Sequence, residues 1–269
     1  MNKIIKLFFT KYLALFLLTV IMAISTSACS QKPEQSTLKT IQERQKIIAG
    51  VKFDSKPFGF IDSDKQLKGF DVDLIKEIAK RLLGDENAVE FKQVTASNRI
   101  FSLTSGATDM VAATMTINEK RKQILDFSNP YYVAGQAIMV SKNSKIKSIK
   151  DLNGKRVVVV LGSTSEGNIR LLAPGAIIKG FRTYTDAFSA LKANRADALT
   201  TDDSIIYGFL HEDPSFKMLQ GRYTKEPYGI GFRKGKASES LQEAVNEILD
   251  SMIADGTLAR IQSKWLKES

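Results

Sequence analysis

Two hydroxyls and a guanidinium lie close together in the segment 106–132, GATDMVAATMTINEKRKQILDFSNPYY. Thr114 and Thr116 are two apart, and Arg121 follows five residues after the second. Hydroxyls, free backbone N–H groups and a guanidinium together make a socket for one small carboxylate. Arginine suits that task because its planar fork pairs with a carboxylate through two parallel hydrogen bonds. Read locally, Arg121 could equally be a solvated arginine on a surface helix. The elements around it have to decide between the two.

Those elements alternate. Lys46 to Phe53 reads as a strand, followed by an aromatic loop, Lys52 to Phe60, and turn chemistry over Asp62 to Lys65. Gly69-Phe70-Asp71-Val72-Asp73-Leu74 opens a helix whose Ile75, Ile78, Ala79, Leu82 and Leu83 recur at helical spacing, with Gly84 as its stop. Val89 to Val94 is a second strand. Ser97 is placed to cap a short helix that begins Asn98-Arg99-Ile100, and Met110 to Ala113 is a third strand. Strand and helix in alternation predict an α/β fold with a parallel sheet covered by helices. Ligands on such sheets bind at the carboxyl ends of the strands. Lys52, Arg99, Thr114 and Thr116 then converge on one rim, which favours the socket.

Beyond Ser128-Asn129-Pro130 the pattern restarts. Val133 to Val140 is strand-like, and Arg156 to Leu161, RVVVVL, reads as a buried strand. It runs into Gly162-Ser163-Thr164-Ser165-Glu166-Gly167, which offers N–H groups at a helix start to an anion or is a routine strand–helix turn. Ile177 to Phe181 is a strand, and Thr185 is placed to cap a helix through Lys192. A short strand ends in Asp202 and Asp203, which either cap the next helix or put one carboxylate before a ligand cation. Tyr228 to Phe232 is a last strand. Ser238 is placed to cap a long helix, and Leu258, Ile261 and Trp265 form an amphipathic terminal one.

The 269 residues suffice for one large domain or two smaller ones, and 43% hydrophobic with 25% charged content is ordinary for a globular protein. The formal charge of +10 is spread along the chain rather than clustered with aromatics, which argues against nucleic acid as a partner. The basic Lys3, Lys6 and Lys11, the apolar run Tyr12 to Ile24 and the small residues before Cys29 read as a cleaved leader. Thr26-Ser27-Ala28-Cys29 resembles a bacterial lipobox, with Thr26 where most carry Leu. That resemblance implies a signal peptide over 1–28 and a lipid (diacylglycerol thioether, with palmitate) on Cys29. The chain would then be held on the extracytoplasmic face of the cell membrane. The alternative is an ordinary secretory signal with an incidental cysteine. Residues 29–40 read as the lipidated Cys and a flexible tether.

As a set, the stretches Gly69–Leu74, Thr116-Ile117-Asn118-Glu119-Lys120-Arg121, Asp126-Phe127-Ser128-Asn129-Pro130-Tyr131 and Arg195-Ala196-Asp197-Ala198 resemble the polar amino-acid substrate-binding proteins of ABC transporters, bacterial extracellular solute-binding protein family 3. The resemblance runs from about Lys46 to Trp265. It implies a periplasmic-binding-protein-like type II fold: two α/β lobes, a two-strand hinge and a ligand cleft between them. Lobe 1 would comprise 41–137 and 227–269 and lobe 2 138–226, with hinge strands near Gln136–Val140 and Tyr228–Phe232. By the same resemblance Arg121, with Thr116 and Thr114, would hold the ligand α-carboxylate, Thr164 would touch it from lobe 2, and Asp202 would pair with the α-ammonium. Asn118, where the family often has Thr, falls at a helix cap.

Gly50-Val51-Lys52-Phe53-Asp54, Ser97-Asn98-Arg99-Ile100, Thr200-Thr201-Asp202-Asp203 and Glu226-Pro227-Tyr228-Gly229-Ile230 are similar to the glutamate/aspartate-binding branch. There Lys52 and Arg99 would face the ligand's side-chain carboxylate, because a carboxylate buried in a closed cleft needs cationic partners. Glutamate or aspartate comes first on this reading and glutamine next; arginine or cystine is the alternative within binding. A monomeric binding protein without cofactor or metal, serving transmembrane permease subunits, is the function implied. Two others stay open: an enzyme on the same scaffold, such as a cyclohexadienyl dehydratase, with His211 the only histidine, and a surface sensor.

Overall fold

The computed structural model describes residues 35–266. The leader and Cys29 lie outside the described residues. Helix α1 (Thr37–Arg44) is capped by Ser36, whose hydroxyl accepts from the Lys39 amide. It begins inside the stretch read as tether. Its composition is polar, yet Ile41 is fully buried, and the Ser36 and Ser240 hydroxyls meet at 2.7 Å. Docking on the body of the protein, not propensity, makes this segment helical.

One lobe is built on β1 (Ile47–Val51), β2 (Asp54–Ser55), β3 (Gly59–Ile61), β4 (Leu67–Lys68), α2 (Phe70–Leu83), β5 (Val89–Gln93), α3 (Arg99–Thr104), β6 (Met110–Val111), α4 (Glu119–Lys122) and β7 (Leu125–Phe127). The chain then crosses through β8 (Tyr132–Ala134). The second lobe holds β9 (Gln136–Ser141), β10 (Arg156–Val160), α5 (Thr164–Leu172), β11 (Ile177–Phe181), α6 (Tyr184–Lys192), β12 (Ala198–Asp202), α7 (Asp203–Glu212) and β13 (Phe216–Met218). The return crossing is β14 (Glu226–Tyr228), followed in the first lobe by β15 (Gly231–Arg233), α8 (Lys236–Ala254) and α9 (Thr257–Trp265).

Each lobe has a five-stranded sheet, ordered β5-β1-β6-β15-β7 and β11-β10-β12-β9-β13. β1 runs parallel to β5 and β6, and β10 parallel to β11 and β12. β15 and β9 run antiparallel to their neighbours. The sheets are therefore mixed rather than wholly parallel, and the reason is topological. Strands native to a lobe run toward the cleft, whereas a chain arriving from the other lobe enters at the cleft and runs away from it.

The crossing strands are not those the sequence predicts. β8 and β14 pair antiparallel, Tyr132 opposite Tyr228 and Ala134 opposite Glu226, as a two-stranded hinge. Gln136 and Ala137 already pair with Asp202 and Thr201 in the second sheet. The run Val133 to Val140 is continuously apolar apart from Gly135 and Gln136, so periodicity does not mark where the hinge hands over to the sheet.

Packing explains the helices. α2 buries Ile75, Ile78 and Ala79 and stops at Gly84 with φ 85°. Thr183, not Thr185, caps α6, accepting from the Asp186 amide; α3 and α8 begin after Asn98 and Gly235 rather than at the serines nearby. α8 packs on α1 and α2, and α9 on α2 and α8, closing the first lobe with sequence from the far end of the chain.

Candidate ligand-binding site

The predicted residues all sit at the cleft end of a strand or at the start of the element after it. Lys52 follows β1, Arg99 opens α3, Thr114 and Thr116 follow β6, Arg121 lies on α4, Thr164 opens α5 and Asp202 ends β12. Lys52, Arg99 and Arg121 are 1%, 2% and 6% exposed, and Asp202 is 5% exposed. These are the buried basic side chains among the described residues, and all three belong to the first lobe.

The socket is held by charges beneath it. Thr114 has φ 48°, in the left-handed region, where a β-branched residue is strained by about 1–3 kcal/mol. Buried Asp71 accepts from the Thr114 amide at 3.2 Å and from the Tyr131 hydroxyl at 2.8 Å. Arg99 Nη1 donates to the carbonyls of Ala113 (2.5 Å) and Thr114 (3.0 Å). Hydrogen bonds to charged groups contribute about 1.5–3 kcal/mol each, enough to offset that strain. Arg121 is fixed at both ends. Asn118 caps α4 by accepting from the Arg121 amide at 2.9 Å, and Arg121 Nη1 donates to the Thr116 carbonyl at 2.7 Å.

Arg99 thus braces the socket backbone, a task the sequence did not indicate. The sequence places it before the ligand side chain. In the structure Nη1 is committed to the socket backbone, while Nε is buried with no hydrogen-bond partner.

The second lobe closes on this rim. Thr116 Oγ1 and Thr164 Oγ1 are 3.5 Å apart, and Arg121 Nη2 lies 3.4 Å from the Gly162 carbonyl. Gly162 has φ 80°, and a Cβ there would sit 2.7 Å from the Ala96 carbonyl oxygen, so only glycine permits the approach. Lys52 Nζ stands 4.6 Å from the centroid of the Tyr184 ring. Asp54 Oδ2 accepts from the Tyr184 amide at 2.7 Å, so a carboxylate of one lobe faces the first turn of α6 in the other. Asp202 Oδ2 accepts from the Tyr228 hydroxyl; its Oδ1 is buried without a partner.

Burial dominates the electrostatics. It pushes the Asp202 carboxyl up to about 7, reinforced by Glu226 and Asp203 and opposed by the Tyr228 hydrogen bond and Arg99. Burial, then the Arg99 charge, brings Lys52 down to about 7 and Arg121 down to about 9. Asp71 rises to about 6 by burial, against the hydrogen bonds from Tyr131 and Thr114. Such groups gain from an opposite charge delivered into the cleft. A zwitterion supplies both signs at once: a carboxylate for Arg121 and the threonine hydroxyls, an ammonium for Asp202. His211 is exposed in the last turn of α7, and the described residues contain no cluster of three or more His, Cys, Asp or Glu able to hold a metal.

Sequence reasoning missed Asp71, Asp54 and Tyr228. Asp71 and Asp73 both sit in the first turn of α2, where acids complement the helix dipole anyway. Only the fold distinguishes Asp71, fully buried, from Asp73, which takes Lys264 and Trp265 as partners. Tyr228 is a hinge residue, and its partner is distant in sequence.

A two-lobe α/β fold of the periplasmic-binding-protein type, with buried charges on both sides of its cleft, is the architecture of a solute-binding protein. The family of bacterial extracellular solute-binding proteins, family 3, matches residues 47–268, and the chain belongs to it. It is 42% identical over 269 residues, 98% of each chain, to the "ABC transporter glutamine-binding protein GlnH" of Bacillus subtilis (strain 168). Identity to the "Glutamate-binding protein GluB" of Corynebacterium glutamicum is 28% over 272 residues, 97% of this chain and 92% of that one. The solved structure of "An ancestral arginine-binding protein bound to glutamine" superposes with a TM-score of 0.78 at 43% identity, over 83% of this chain and 99% of the other. Resemblance to the glutamate branch is thus the more distant one. No helix among the described residues is long and apolar enough to cross a membrane.

Proposed function

We propose that the chain is the extracytoplasmic binding component of an amino-acid ABC importer, and that it takes L-glutamine between its lobes. The supporting observation is the burial of Arg121 with Thr116 on one lobe and of Asp202 on the other, with Thr116 and Thr164 in contact across the cleft. Arg121, Thr114, Thr116 and Thr164 receive the α-carboxylate, and Asp202 the α-ammonium. Lys52 and the free edge of Arg99 read the side chain.

Glutamine stands ahead of glutamate, reversing the order drawn from sequence. The glutamine-binding relative covers the chain at 42% identity, the glutamate-binding one at 28%. Physically, Arg99 spends Nη1 on backbone carbonyls, and burial takes Lys52 down to about 7, so the pocket has less cationic character than two free cations would give. A side-chain amide can accept from Lys52 without requiring its charge. Glutamate is the second reading, favoured by the presence of both residues. Calorimetry with each amino acid in buffers of different ionisation enthalpy separates them. Glutamine is expected to bind without proton uptake at Lys52 above pH 7, glutamate with it. Arginine binding in the absence of glutamine or glutamate binding would overturn both.

The delivery partner is a transmembrane permease that recognises the closed monomer. The division expected from sequence, 41–137 with 227–269 against 138–226, shifts by a few residues: α1 joins lobe 1 from Thr37, Gln136 and Ala137 already belong to lobe 2, and β8 and β14 are the crossings. Cys29 carries the lipid that keeps the protein at the membrane; mass spectrometry of the membrane-extracted protein tests this, and an unmodified mature N-terminus contradicts it.

A further inference from the structure

Asp202 Oδ2 accepts its hydrogen bond from a residue that belongs to neither lobe proper. Tyr228 ends hinge strand β14 and is fully buried. Its phenol donates to Asp202. The backbone around it reaches the other way. Tyr228 bridges Thr116, Ile117 N donates to the Pro227 carbonyl at 2.7 Å, and Gly229 N donates to the Met115 carbonyl at 3.1 Å. The Tyr228 segment therefore holds the carboxylate socket through the main chain of its two neighbours, while the Tyr228 side chain reaches the opposing acid. The ring itself is held by Phe58 and Tyr132, with centroids 5.4 and 5.6 Å away. Asp202 Oδ1 remains buried and without a partner.

We propose that Tyr228 is a positioning residue for ligand binding, orienting Asp202 so that Oδ1 faces the ligand ammonium while the backbone of its two neighbours keeps the Thr116 socket in register with that acid. This rests on the reading of Asp202 as the ammonium partner. The phenol occupies one oxygen and leaves the other, so the carboxylate cannot rotate without losing a charge-assisted hydrogen bond. The contact is made from the hinge, so the orientation of Asp202 is set by the same strand that governs closure.

The hydrogen bond also favours the ionised form of the acid. Burial raises the Asp202 carboxyl, Glu226 and Asp203 raise it further, and the Tyr228 bond and Arg99 oppose them. Lys52 and Arg121 also act on it through their charges. Of these, only the phenol is a neutral donor whose removal leaves every other charge in place.

The test is Tyr228→Phe, which keeps the ring and deletes the hydroxyl. L-Glutamine affinity is measured by calorimetry from pH 5 to 9 in wild type, Tyr228→Phe and Asp202→Asn. Tyr228→Phe is expected to bind about tenfold more weakly at pH 7, the loss of one hydrogen bond to a charged group. Its acid limb should also move up by about one pH unit, because the ionised form has lost a stabilising donor. A structural role alone would weaken binding equally at every pH; that result, or unchanged affinity, overturns the proposal. Asp202→Asn with wild-type affinity would overturn the ammonium reading itself. Loss of binding in Asp202→Asn with an unmoved acid limb in Tyr228→Phe overturns the Tyr228 inference alone. Should Tyr228→Phe not fold, the wild-type Asp202 Cγ NMR signal decides. An H/D isotope shift transmitted from the Tyr228 hydroxyl supports the proposal, and its absence refutes it.

Discussion

The two rims of the cleft are built to different standards of rigidity. On the first lobe, the socket is braced from below by Asp71 and Arg99 and from the side by Asn118. A left-handed threonine is held there against its own preference. On the second lobe, the proposed binding groups are one hydroxyl at the start of α5 and one carboxylate whose hydrogen-bonded partner comes from the hinge. The first rim carries the buried cations and the second the acid. The difference teaches where each task sits. On the proposed function, the first lobe is organised before the ligand arrives and would read its carboxylate and side chain; the second would gain its geometry from closure and retain the ligand.

Breaking the preorganised rim should cost most. Arg121→Ala should weaken L-glutamine binding by several hundredfold or more, since removing one member of a desolvated charge pair costs about 3–5 kcal/mol. The same variant should not lower the thermal midpoint without ligand, because it removes a cation that burial already disfavours. A midpoint drop large enough to account for the lost binding would shift Arg121 from recognition to scaffold.

The second rim should show itself through pH. Asp202 is raised to about 7 in the ligand-free site, and an ammonium partner would hold it lower. Binding then releases a proton below pH 7, and affinity falls as pH falls, by about tenfold per unit. Competition calorimetry between pH 5 and 8 reads this slope; affinity that stays flat to pH 5 would remove Asp202 from the account.

Asp71→Asn sharpens the contrast. Asparagine has one acceptor where both the Thr114 amide and the Tyr131 hydroxyl must be satisfied. Affinity should drop about tenfold and stability by about 1–3 kcal/mol, the cost of an unpaired buried donor. Asp71 also predicts a sign. With its carboxyl raised to about 6 when folded, the folded state binds more protons than the unfolded one between about 4 and 6, so its contribution weakens as pH rises through that window. Denaturant unfolding of wild type and Asp71→Asn across it reads the difference.

The smallest effect should come from Asp54→Ala. It removes the acceptor of the Tyr184 amide at the start of α6, worth about 0.3–1 kcal/mol for a charge at a helix terminus. Because the contact spans the cleft, the loss should appear in the dissociation rate by about two- to fivefold and leave ligand-free stability unchanged. Stopped-flow measurement checks it.

Much of this was legible in the sequence for identifiable reasons. Strand ends and helix starts carry turn and cap chemistry, so Lys52, Thr116, Thr164 and Asp202 could be assigned to a cleft edge before any fold was known. Asn118 announced its cap by residue type. The hinge did not announce itself, because Tyr132–Ala134 and Gln136–Ser141 are both apolar and differ only in which sheet receives them. Helix α1 was hidden for the opposite reason: a polar segment acquires its structure from one buried Ile41. Buried supporting groups such as Asp71 and Tyr228 depend on partners 43 and 26 residues away, and no local spacing encodes those.

The claim that opposite lobes read opposite ends of one amino acid is tested most directly by titrating wild type and Asp202→Asn with L-glutamine and with glutaramate, which lacks only the α-ammonium. Wild type should prefer glutamine by about a hundredfold or more, the scale of a desolvated charge pair, and Asp202→Asn should abolish that preference. An undiminished preference in Asp202→Asn would contradict the account.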